Sequence, residues 1–210
     1  MISGLYGVTP DCDDTPLLVQ QVTAALAGGT RVIQYRSKAA DSQQRLQQAD
    51  ALTRLCHRHG ALLIVNDHAD VAAKVGADGV HIGADDGDVA AARDRIGRRG
   101  LIGVSCYNRL ELARDAVAAG ADYVAFGSFF ASRVKPGAVH APLALLGAAK
   151  AELQVPIVAI GGITPANAQS LIDAGADALA VISALFAASD ITGAARQFCT
   201  LFTTVDHAGA

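Results

Sequence analysis

The sequence predicts an α/β fold, a single (β/α)8 barrel of the TIM type. Short apolar segments alternate with longer Ala-rich segments, eight of the short segments can be counted, and similar glycine turns join the two kinds. The composition agrees, because 51% of the residues are hydrophobic and only 5% are aromatic. Strands of a parallel sheet are covered on both faces, so they are rich in small and branched apolar residues.

Each apolar segment is short enough to form one buried strand. The segments are Leu5–Val8, Arg31–Tyr35, Leu62–Val65, Gly79–Ile82, Leu101–Val104, Tyr123–Phe126, Ile157–Ile160 and Leu179–Ile182. A doubly wound open sheet would show the same alternation, but the number of strands favours a closed barrel. We expect the barrel to span residues 1–202 of the 210, and the polar residues 203–210 to form a disordered tail.

Four similar turns mark the ends of predicted helices. Glycine in such a turn lets the chain leave a helix in the left-handed conformation. Because the motif recurs where a helix leads into a strand, we interpret its aspartates as structural. The turns are Ala27-Gly28-Gly29-Thr30, Val75-Gly76-Ala77-Asp78, Ala119-Gly120-Ala121-Asp122 and Ala174-Gly175-Ala176-Asp177.

Charge and cysteine content exclude several classes of function. The net charge is −3, so no broad basic surface is available for nucleic acid. The four cysteines form no C-x-x-C pair, which is typical of a reduced cytoplasmic protein. No signal peptide is recognised, and no apolar segment reaches the roughly 18 residues that a membrane helix needs. We therefore expect a cytoplasmic protein without nucleic-acid or membrane partners; a homo-oligomer is compatible with the sequence.

Polar residues concentrate directly after the predicted strands, whereas the opposite strand ends carry mostly Gly, Ala, Pro and Asp. In barrels and in open α/β sheets, ligands bind beyond the carboxyl ends of the strands. The asymmetry therefore predicts a functional site at that face. Its candidate residues are Gln34, Arg36, Lys38, Asn66, Asp67, Asp85, Asp86, Ser105, Ser128, Ser132, Lys135, Gly161, Gly162 and Ser183.

The segment Gln34–Lys38 carries the most informative of these signals. Residues two apart in an extended strand point to the same side, so Gln34, Arg36 and Lys38 are expected to project together. An amide and two cations in this arrangement suit a polyphosphate better than a single carboxylate.

Asp67 and Asp86 are acidic residues among basic and neutral neighbours. Carboxylates beside a polyphosphate often share Mg2+ with it, because this hard cation prefers oxygen ligands. Each aspartate also precedes a predicted helix, so an N-cap explains the spacing equally well. The pattern leaves both roles open, and Asp85 could replace Asp86 in either.

A second anion site is predicted at the last two strands. Gly161 and Gly162 let the backbone approach a ligand, while Thr164 and Pro165 suit the N-cap and first position of the next helix. Such a turn exposes N–H groups to a phosphate, and barrels often bind phosphate after strands seven and eight. Ser183 follows the eighth strand. An ordinary tight turn is the alternative interpretation.

Seven motifs occur in order along the chain, nearly one at each strand end. Each is weak alone, but the ordered set is highly specific, and together the motifs resemble the thiamine-phosphate synthase family over about residues 5–202. The motifs are Gln34-Tyr35-Arg36-Ser37-Lys38, Val65-Asn66-Asp67, Gly79-Val80-His81-Ile82-Gly83, Gly103-Val104-Ser105, Gly127-Ser128-Phe129-Phe130, Lys135-Pro136 and Ile160-Gly161-Gly162-Ile163-Thr164.

The resemblance implies a Mg2+-dependent transferase of thiamine biosynthesis with two phosphorylated heterocycles as substrates. It would join 4-amino-5-hydroxymethyl-2-methylpyrimidine diphosphate to 4-methyl-5-(2-hydroxyethyl)thiazole phosphate, or to its 2-carboxy form, and would release diphosphate (pyrophosphate). The implied metal ligands are Asp67 and Asp86. The implied pyrimidine diphosphate-binding residues are Gln34, Tyr35, Arg36, Ser37, Lys38, Asn66, Ser105 and Lys135, of which Arg36, Lys38, Ser105 and Lys135 are the catalytic ones. The implied thiazole phosphate-binding residues are Ser132, Arg133, Val134, Gly162, Ile182 and Ser183.

The sequence departs from the family pattern at three places, the last of which covers two residues. Ala84 stands where relatives often have Gln, and Val134 where Thr is common, so an amide and a hydroxyl are missing. Many relatives have a small residue and His after the serine that Ser105 matches; here Cys106 and Tyr107 follow it.

Other functions on the same barrel remain as alternatives. A thiazole tautomerase or a regulatory relative would bind a thiazole phosphate without joining it to a pyrimidine. A phosphosugar isomerase or aldolase would need a Glu base or a Schiff-base Lys, and neither occurs at a clear strand end. A non-catalytic metabolite-binding protein would bind ligand without releasing diphosphate.

Overall fold

A computed structural model of the chain describes residues 2–83, 88–131 and 140–203. Its parallel strands form a closed barrel in sequence order, with the first strand paired to both the second and the last. The strands are β1 Gly4–Val8, β2 Val32–Tyr35, β3 Leu62–Asn66, β4 Gly79–Gly83, β5 Leu101–Ser105, β6 Tyr123–Phe126, β7 Ile157–Ile160 and β8 Ala178–Val181. The predicted (β/α)8 barrel is therefore confirmed, and every predicted strand is found to within a residue at each end.

The helices surround the barrel and alternate with the strands. Aspartates cap several of them: Asp14 accepts from the Leu17 N–H at 2.9 Å, and Asp41 accepts from the Gln44 N–H at 2.8 Å. No helix in the described part of the chain is long and apolar enough to cross a membrane. The helices are α1 Thr15–Ala27, α2 Ser42–Arg58, α3 Ala69–Val75, α4 Val89–Ile96, α5 Leu110–Ala118, α6 Ala144–Glu152, α7 Pro165–Asp173, α8 Ser183–Phe186 and α9 Ile191–Thr203. Of the predicted tail, residues 204–210 lie outside the described residues.

Strand alternation divides the buried side chains into two cores. One lies between the strands and the helices and includes Ile33 and Leu63; the other fills the barrel and includes Val32 and Ile64. Successive residues of a strand point to opposite faces, so neighbours in sequence fall into different cores. The same alternation decides which strand residues can reach the barrel opening.

The repeated turns fasten the amino-terminal ends of the strands. In three of them the aspartate side chain accepts a backbone N–H from the start of the strand before: Asp78 from Leu63 at 2.8 Å, Asp122 from Ile102 at 2.7 Å and Asp177 from Ile157 at 2.9 Å. Each carboxylate also contacts a basic side chain: His57 at 3.1 Å, Arg93 at 2.6 Å and Lys150 at 2.5 Å, respectively. The structural interpretation of these aspartates is confirmed. In the fourth turn Thr30 takes the place of Asp.

We expect Asp177→Ala to lower the free energy of unfolding by about 1–3 kcal/mol, because the Ile157 N–H would lose its acceptor. Asp177→Asn keeps an acceptor oxygen and should cost less. Urea unfolding of both variants checks this, with Lys150→Met as the control: loss of that half-exposed ion pair alone should cost less than about 1 kcal/mol. Equal losses in Asp177→Ala and Lys150→Met would contradict the assignment.

Candidate active site at the carboxyl-terminal opening

The segment that follows β2 departs from the prediction of one extended strand. β2 ends at Tyr35, so strand alternation does not extend to Arg36 and Lys38. Gln34 points into the barrel, where its Nε2 donates to the Tyr6 hydroxyl at 2.9 Å. The Tyr35 side chain is buried on the other face, and its hydroxyl donates to Gln48 of α2 at 2.7 Å. The Tyr35 hydroxyl therefore faces α2, while a contact of Tyr35 with a diphosphate stays a prediction.

The loop after β1 replaces the strand ladder beyond Tyr35. The Thr9 hydroxyl accepts the Arg36 N–H at 3.0 Å and donates to the Arg36 carbonyl at 3.2 Å. Asp11 accepts the Lys38 N–H at 2.5 Å. Backbone bonds to Thr9 and Asp11 thus position both candidate cations, and among the described residues neither side chain forms an ion pair, so both charges can meet a ligand. Thr9 is fully buried, and sequence analysis missed it because a threonine after a strand carries no distinctive pattern.

Ser37 has a local structural contact. Its hydroxyl oxygen accepts the Ala40 N–H at 3.1 Å, which closes a turn before α2. The Ser37 hydroxyl also forms a hydrogen bond with the Tyr35 phenol, which acts to lower the pKa of Tyr35 against the larger effect of burial.

Asp67 presents an exposed carboxylate directly after β3. Its φ is 62°, a left-handed conformation that aspartate tolerates better than most residues. The Asn66 Nδ2 donates to its carboxylate at 2.6 Å, and its own N–H donates to the His81 carbonyl at 2.8 Å. Among the described residues, no lysine or arginine forms an ion pair with Asp67. An exposed carboxylate held in this way suits a hard cation.

The N-cap interpretation of the two candidate metal ligands is wrong. His68, not Asp67, is the N-cap residue of α3. Asp88 caps α4 by accepting N–H bonds from Ala90 at 2.8 Å and Ala91 at 3.3 Å, so the helix after Asp86 has its cap elsewhere.

Several predicted site residues lie outside the described residues. They are Ala84, Asp85, Asp86, Ser132, Arg133, Val134 and Lys135. Within the described ranges, no group of three or more His, Cys, Asp or Glu side chains is arranged to hold a metal ion. Of the two predicted metal ligands, Asp67 lies within the described residues and Asp86 does not.

His81 and Ser105 meet at the inner face of β4 and β5. His81 Nε2 and Ser105 Oγ are 2.8 Å apart, and His81 Nδ1 lies 3.1 Å from the Tyr123 hydroxyl. Gly103 makes room for this arrangement, because a Cβ there would come within 2.0 Å of the Tyr123 ring. His81 lies within the predicted buried strand Gly79–Ile82, and its burial is confirmed, but its ring is also a hydrogen-bond partner of the predicted site residue Ser105.

Burial controls the protonation of these interior groups. It lowers the pKa of His81 to about 4, so the ring is neutral at neutral pH. Burial also raises the pKa of the Tyr6 and Tyr123 phenols, and both keep their protons. The pKa of the buried Cys106 thiol is raised to about 12, also by burial, which excludes a thiolate nucleophile beside Ser105.

The ends of β7 and β8 enclose an open cavity of about 160 Å³, lined by Ala131, Ile160–Thr164 and Ala180–Ala184. This is far more than the roughly 10–15 Å³ that one water requires. Gly161 and Gly162 have φ of 106° and 65°, and a Cβ on Gly162 would meet the Ala131 carbonyl oxygen at 2.4 Å. Within the described part of the chain, neither glycine N–H has an acceptor. The cavity therefore combines exposed donors with space for a small anion.

Thr164 is the N-cap of α7 and Pro165 its first residue, as predicted. Asn167 supports the turn in a way that the sequence did not reveal. Its Oδ1 accepts the Thr164 N–H at 2.8 Å, and its Nδ2 donates to the Gly162 carbonyl at 3.1 Å. The signal that could have located it is an amide at the third helical position, where a capping box places Glu or Gln.

These features define a barrel protein with polar side chains and an anion-suited cavity at the carboxyl-terminal opening, as in barrel enzymes. Residues 5–185 match the thiamine monophosphate synthase family. The chain is 56% identical over 201 residues to the thiamine-phosphate synthase of Chromobacterium violaceum, covering 96% of this chain and 97% of the relative. It is 55% identical to that of Methylobacillus flagellatus, covering 96% of each. The chain belongs to the thiamine monophosphate synthase family.

Solved structures agree with this assignment. A thiamine phosphate pyrophosphorylase from Pyrococcus furiosus superposes with a TM-score of 0.86 at 35% identity, covering 96% of each chain. A 3-hexulose-6-phosphate synthase superposes with a TM-score of 0.75 at 20% identity, covering 94% of this chain and 99% of that one, which shows a shared fold only.

The lowered pKa of His81 predicts a pH-dependent stability. As the pH falls below the ordinary histidine value of 6.5, the unfolded chain binds a proton that the folded ring accepts only near pH 4. The free energy of unfolding contributed by His81 should therefore fall by about 2 kcal/mol between about pH 7.5 and pH 5. Urea unfolding of the parent protein and His81→Gln measures this difference. Parallel pH profiles for the two proteins would show that His81 is not the responsible group.

Proposed function

We propose that this protein is a thiamine-phosphate synthase, a transferase that joins a pyrimidine diphosphate to a thiazole phosphate and releases diphosphate. The substrates would be 4-amino-5-hydroxymethyl-2-methylpyrimidine diphosphate and 4-methyl-5-(2-hydroxyethyl)thiazole phosphate or its 2-carboxy form. The observation that carries the proposal is the presence of two separate anion-suited regions at one opening. Arg36 and Lys38 follow β2, while Gly161, Gly162 and Ser183 border the cavity at β7 and β8. Family membership supports this pairing.

The diphosphate would bind at the β2 and β3 ends. Arg36 and Lys38 supply positive charge, and their backbone N–H groups are already bonded to Thr9 and Asp11. Binding of diphosphate here should cost little conformational entropy, because the backbone of Arg36 and Lys38 is ordered before the ligand binds.

Asp67 and Asp86 would hold Mg2+ against the same diphosphate. The exposed Asp67 carboxylate fits this role, since its oxygens face no protein cation among the described residues. Bound Mg2+ would supply further positive charge to the leaving group.

The reaction would break the bond between the pyrimidine methylene carbon and diphosphate oxygen, and the bonding electrons would leave with diphosphate. The thiazole nitrogen would then donate its lone pair to that carbon and form the new C–N bond. With the 2-carboxy form, the carboxyl group would also leave as CO2, and a proton from water would take its place on the ring carbon. Arg36, Lys38 and Lys135 would stabilise the charge that grows on the departing oxygens. Ser105 would contact the pyrimidine or the diphosphate, and the protein would hold the thiazole in line.

The thiazole phosphate would bind in the cavity at β7 and β8. The N–H groups of Gly161 and Gly162, which have no acceptor among the described residues, suit phosphate oxygens, and Ser183 adds a hydroxyl from the first turn of α8. Ile182, the residue before α8, lines the same cavity. Ser132, Arg133 and Val134 are proposed as further contacts of this phosphate.

The alternative of a thiazole tautomerase is less well supported by the residues at β5. Such an enzyme would need an acid or base near Ser105, where the exposed Tyr107 stands and the neutral His81 ring is engaged through both nitrogens. A tautomerase would also have no use for the cations after β2. Formation of product from both heterocycles separates the two functions.

We expect the purified protein to form thiamine phosphate and diphosphate from both heterocycles only when Mg2+ is added, with chelation abolishing turnover. Asp67→Asn should lower kcat by about 10²–10³, the scale for one preorganised electrostatic contact. The matched control is Asp173→Asn, which changes an exposed carboxylate on α7. Thiazole isomerisation without diphosphate release would overturn the proposal, and full turnover by Asp67→Asn would overturn the role of that residue.

We expect Gly162→Ala to raise the KM for thiazole phosphate far more than the KM for pyrimidine diphosphate. The added Cβ would collide with the Ala131 carbonyl oxygen, and a φ of 65° is unfavourable for alanine. Steady-state kinetics with each substrate varied measures the difference. Gly147→Ala, at an open position of α6, is the control and should leave both KM values unchanged. Equal changes in both KM values for Gly162→Ala would argue against a local phosphate site.

A further inference from the structure

Five side chains inside the barrel form one continuous hydrogen-bonded chain below the opening. The bonds join Gln34 Nε2 to Tyr6 Oη at 2.9 Å, Tyr6 Oη to Tyr123 Oη at 2.9 Å, Tyr123 Oη to His81 Nδ1 at 3.1 Å and His81 Nε2 to Ser105 Oγ at 2.8 Å. Four of the five side chains are buried, and Ser105 at the end is partly exposed. These hydrogen bonds thus connect one predicted site residue, Gln34, to another, Ser105, through Tyr6, Tyr123 and His81, none of which was predicted to contact a ligand.

All the hydrogen bonds in this network are donated in the same direction, from Gln34 towards Ser105. The Gln34 amide nitrogen can only donate, so the Tyr6 oxygen accepts and its own proton must find another acceptor. Among the described residues that acceptor is the Tyr123 oxygen. Tyr123 then donates to His81 Nδ1, and the proton of the neutral imidazole is on Nε2. The reverse order would leave the buried Tyr6 proton without an acceptor, at a cost of about 1–3 kcal/mol.

We propose that His81 is a positioning residue: its Nε2–H donates to Ser105 Oγ, so that Ser105 directs its hydroxyl proton at the ligand in the opening. A serine hydroxyl can otherwise rotate and present either a proton or a lone pair. With one lone pair occupied by His81, Ser105 acts as a hydrogen-bond donor. The ligand atom that it meets must be an acceptor, such as a ring nitrogen or a diphosphate oxygen.

The identity of the ligand in this inference rests on the proposed function. The direction of the hydrogen bonds does not, because it follows from contacts within the protein. The Gln34 amide sets the direction, since an amide rotated by 180° would reverse every donor up to Ser105. The position of the proton on His81 therefore shows the donor-to-acceptor direction of all the hydrogen bonds from Gln34 to Ser105. It can be measured in the free protein.

The first test is long-range 1H–15N NMR of protein with labelled histidines, in which His81→Gln identifies the His81 signals. We expect a single Nε2–H tautomer at neutral pH. An Nδ1–H tautomer, or an even mixture of the two, would overturn the proposal. Because no substrate is present, this result stands whether or not the proposed reaction is observed.

The second test breaks the chain at Tyr123. Tyr123→Phe removes the donor to His81 Nδ1, so the tautomers should mix and kcat should fall by about 10- to 100-fold, the scale for outer-shell partners. The KM for thiazole phosphate should not change. The control is Thr53→Val, which removes a buried hydroxyl that donates to the Ala49 carbonyl at 2.8 Å in α2. Equal losses of kcat in Tyr123→Phe and Thr53→Val would mean a structural role only, and would overturn the proposal.

A double-mutant cycle shows whether the effect passes through Ser105. If His81 and Tyr123 act by orienting Ser105, Tyr123→Phe should lower kcat in the parent protein but not in Ser105→Ala. His81→Gln, which keeps an amide donor, should retain more activity than His81→Leu. Additive losses in the cycle would overturn the positioning role. A parent protein that shows the Nε2–H tautomer but no coupling of the heterocycles would refute the proposed function alone.

Discussion

Closure of the parallel strands into a barrel is the constraint on which the rest of this structure depends. β1 pairs with β8 as well as with β2, so all strands run in the same direction around one interior. Residues that end strands, such as Asn66 and Ser105, therefore gather at one opening. Residues that precede strands, such as Asp122 and Asp177, gather at the other, where they bind backbone N–H groups of neighbouring strands. The two ends of the barrel are thus separated into a functional end and a structural end.

The barrel interior does more than fill space. Buried polar atoms are costly unless they are paired, and here they are paired with one another across strands far apart in sequence. Tyr6 and Tyr123, which are separated by 117 positions, share a hydrogen bond at the centre. The ring of Tyr123 fits because Gly103 has no side chain. We therefore expect substitutions in this interior to affect the side chains at the opening, since both belong to the same hydrogen-bonded network.

The fold and the candidate residues at the strand ends could be predicted from the sequence, whereas the contacts that hold those residues in place could not, for a common physical reason. The strands, the turns and Gly162 are local signals, readable from a few neighbouring residues. The support of Arg36 by Thr9 and the chain from Tyr6 to Ser105 depend on contacts between different strands. They exist only after the barrel closes. Prediction of an extended segment beyond Tyr35 failed for the same reason, because side chains of the loop after β1 replace the strand ladder there.

The hydrogen bonding and protonation of the interior side chains bear on how the proposed reaction would avoid side products. An electron-deficient methylene carbon reacts with any free nucleophile nearby, so a productive site must offer only one. Both nitrogens of His81 are engaged in hydrogen bonds, and the Tyr123 phenol is held protonated by burial. The Cys106 thiol is buried, and its raised pKa keeps it protonated. Neutral groups that are buried or hydrogen-bonded in this way are weak nucleophiles, so in the proposed reaction the nitrogen of a thiazole anchored by its phosphate at β7 and β8 would capture the carbon in preference to them.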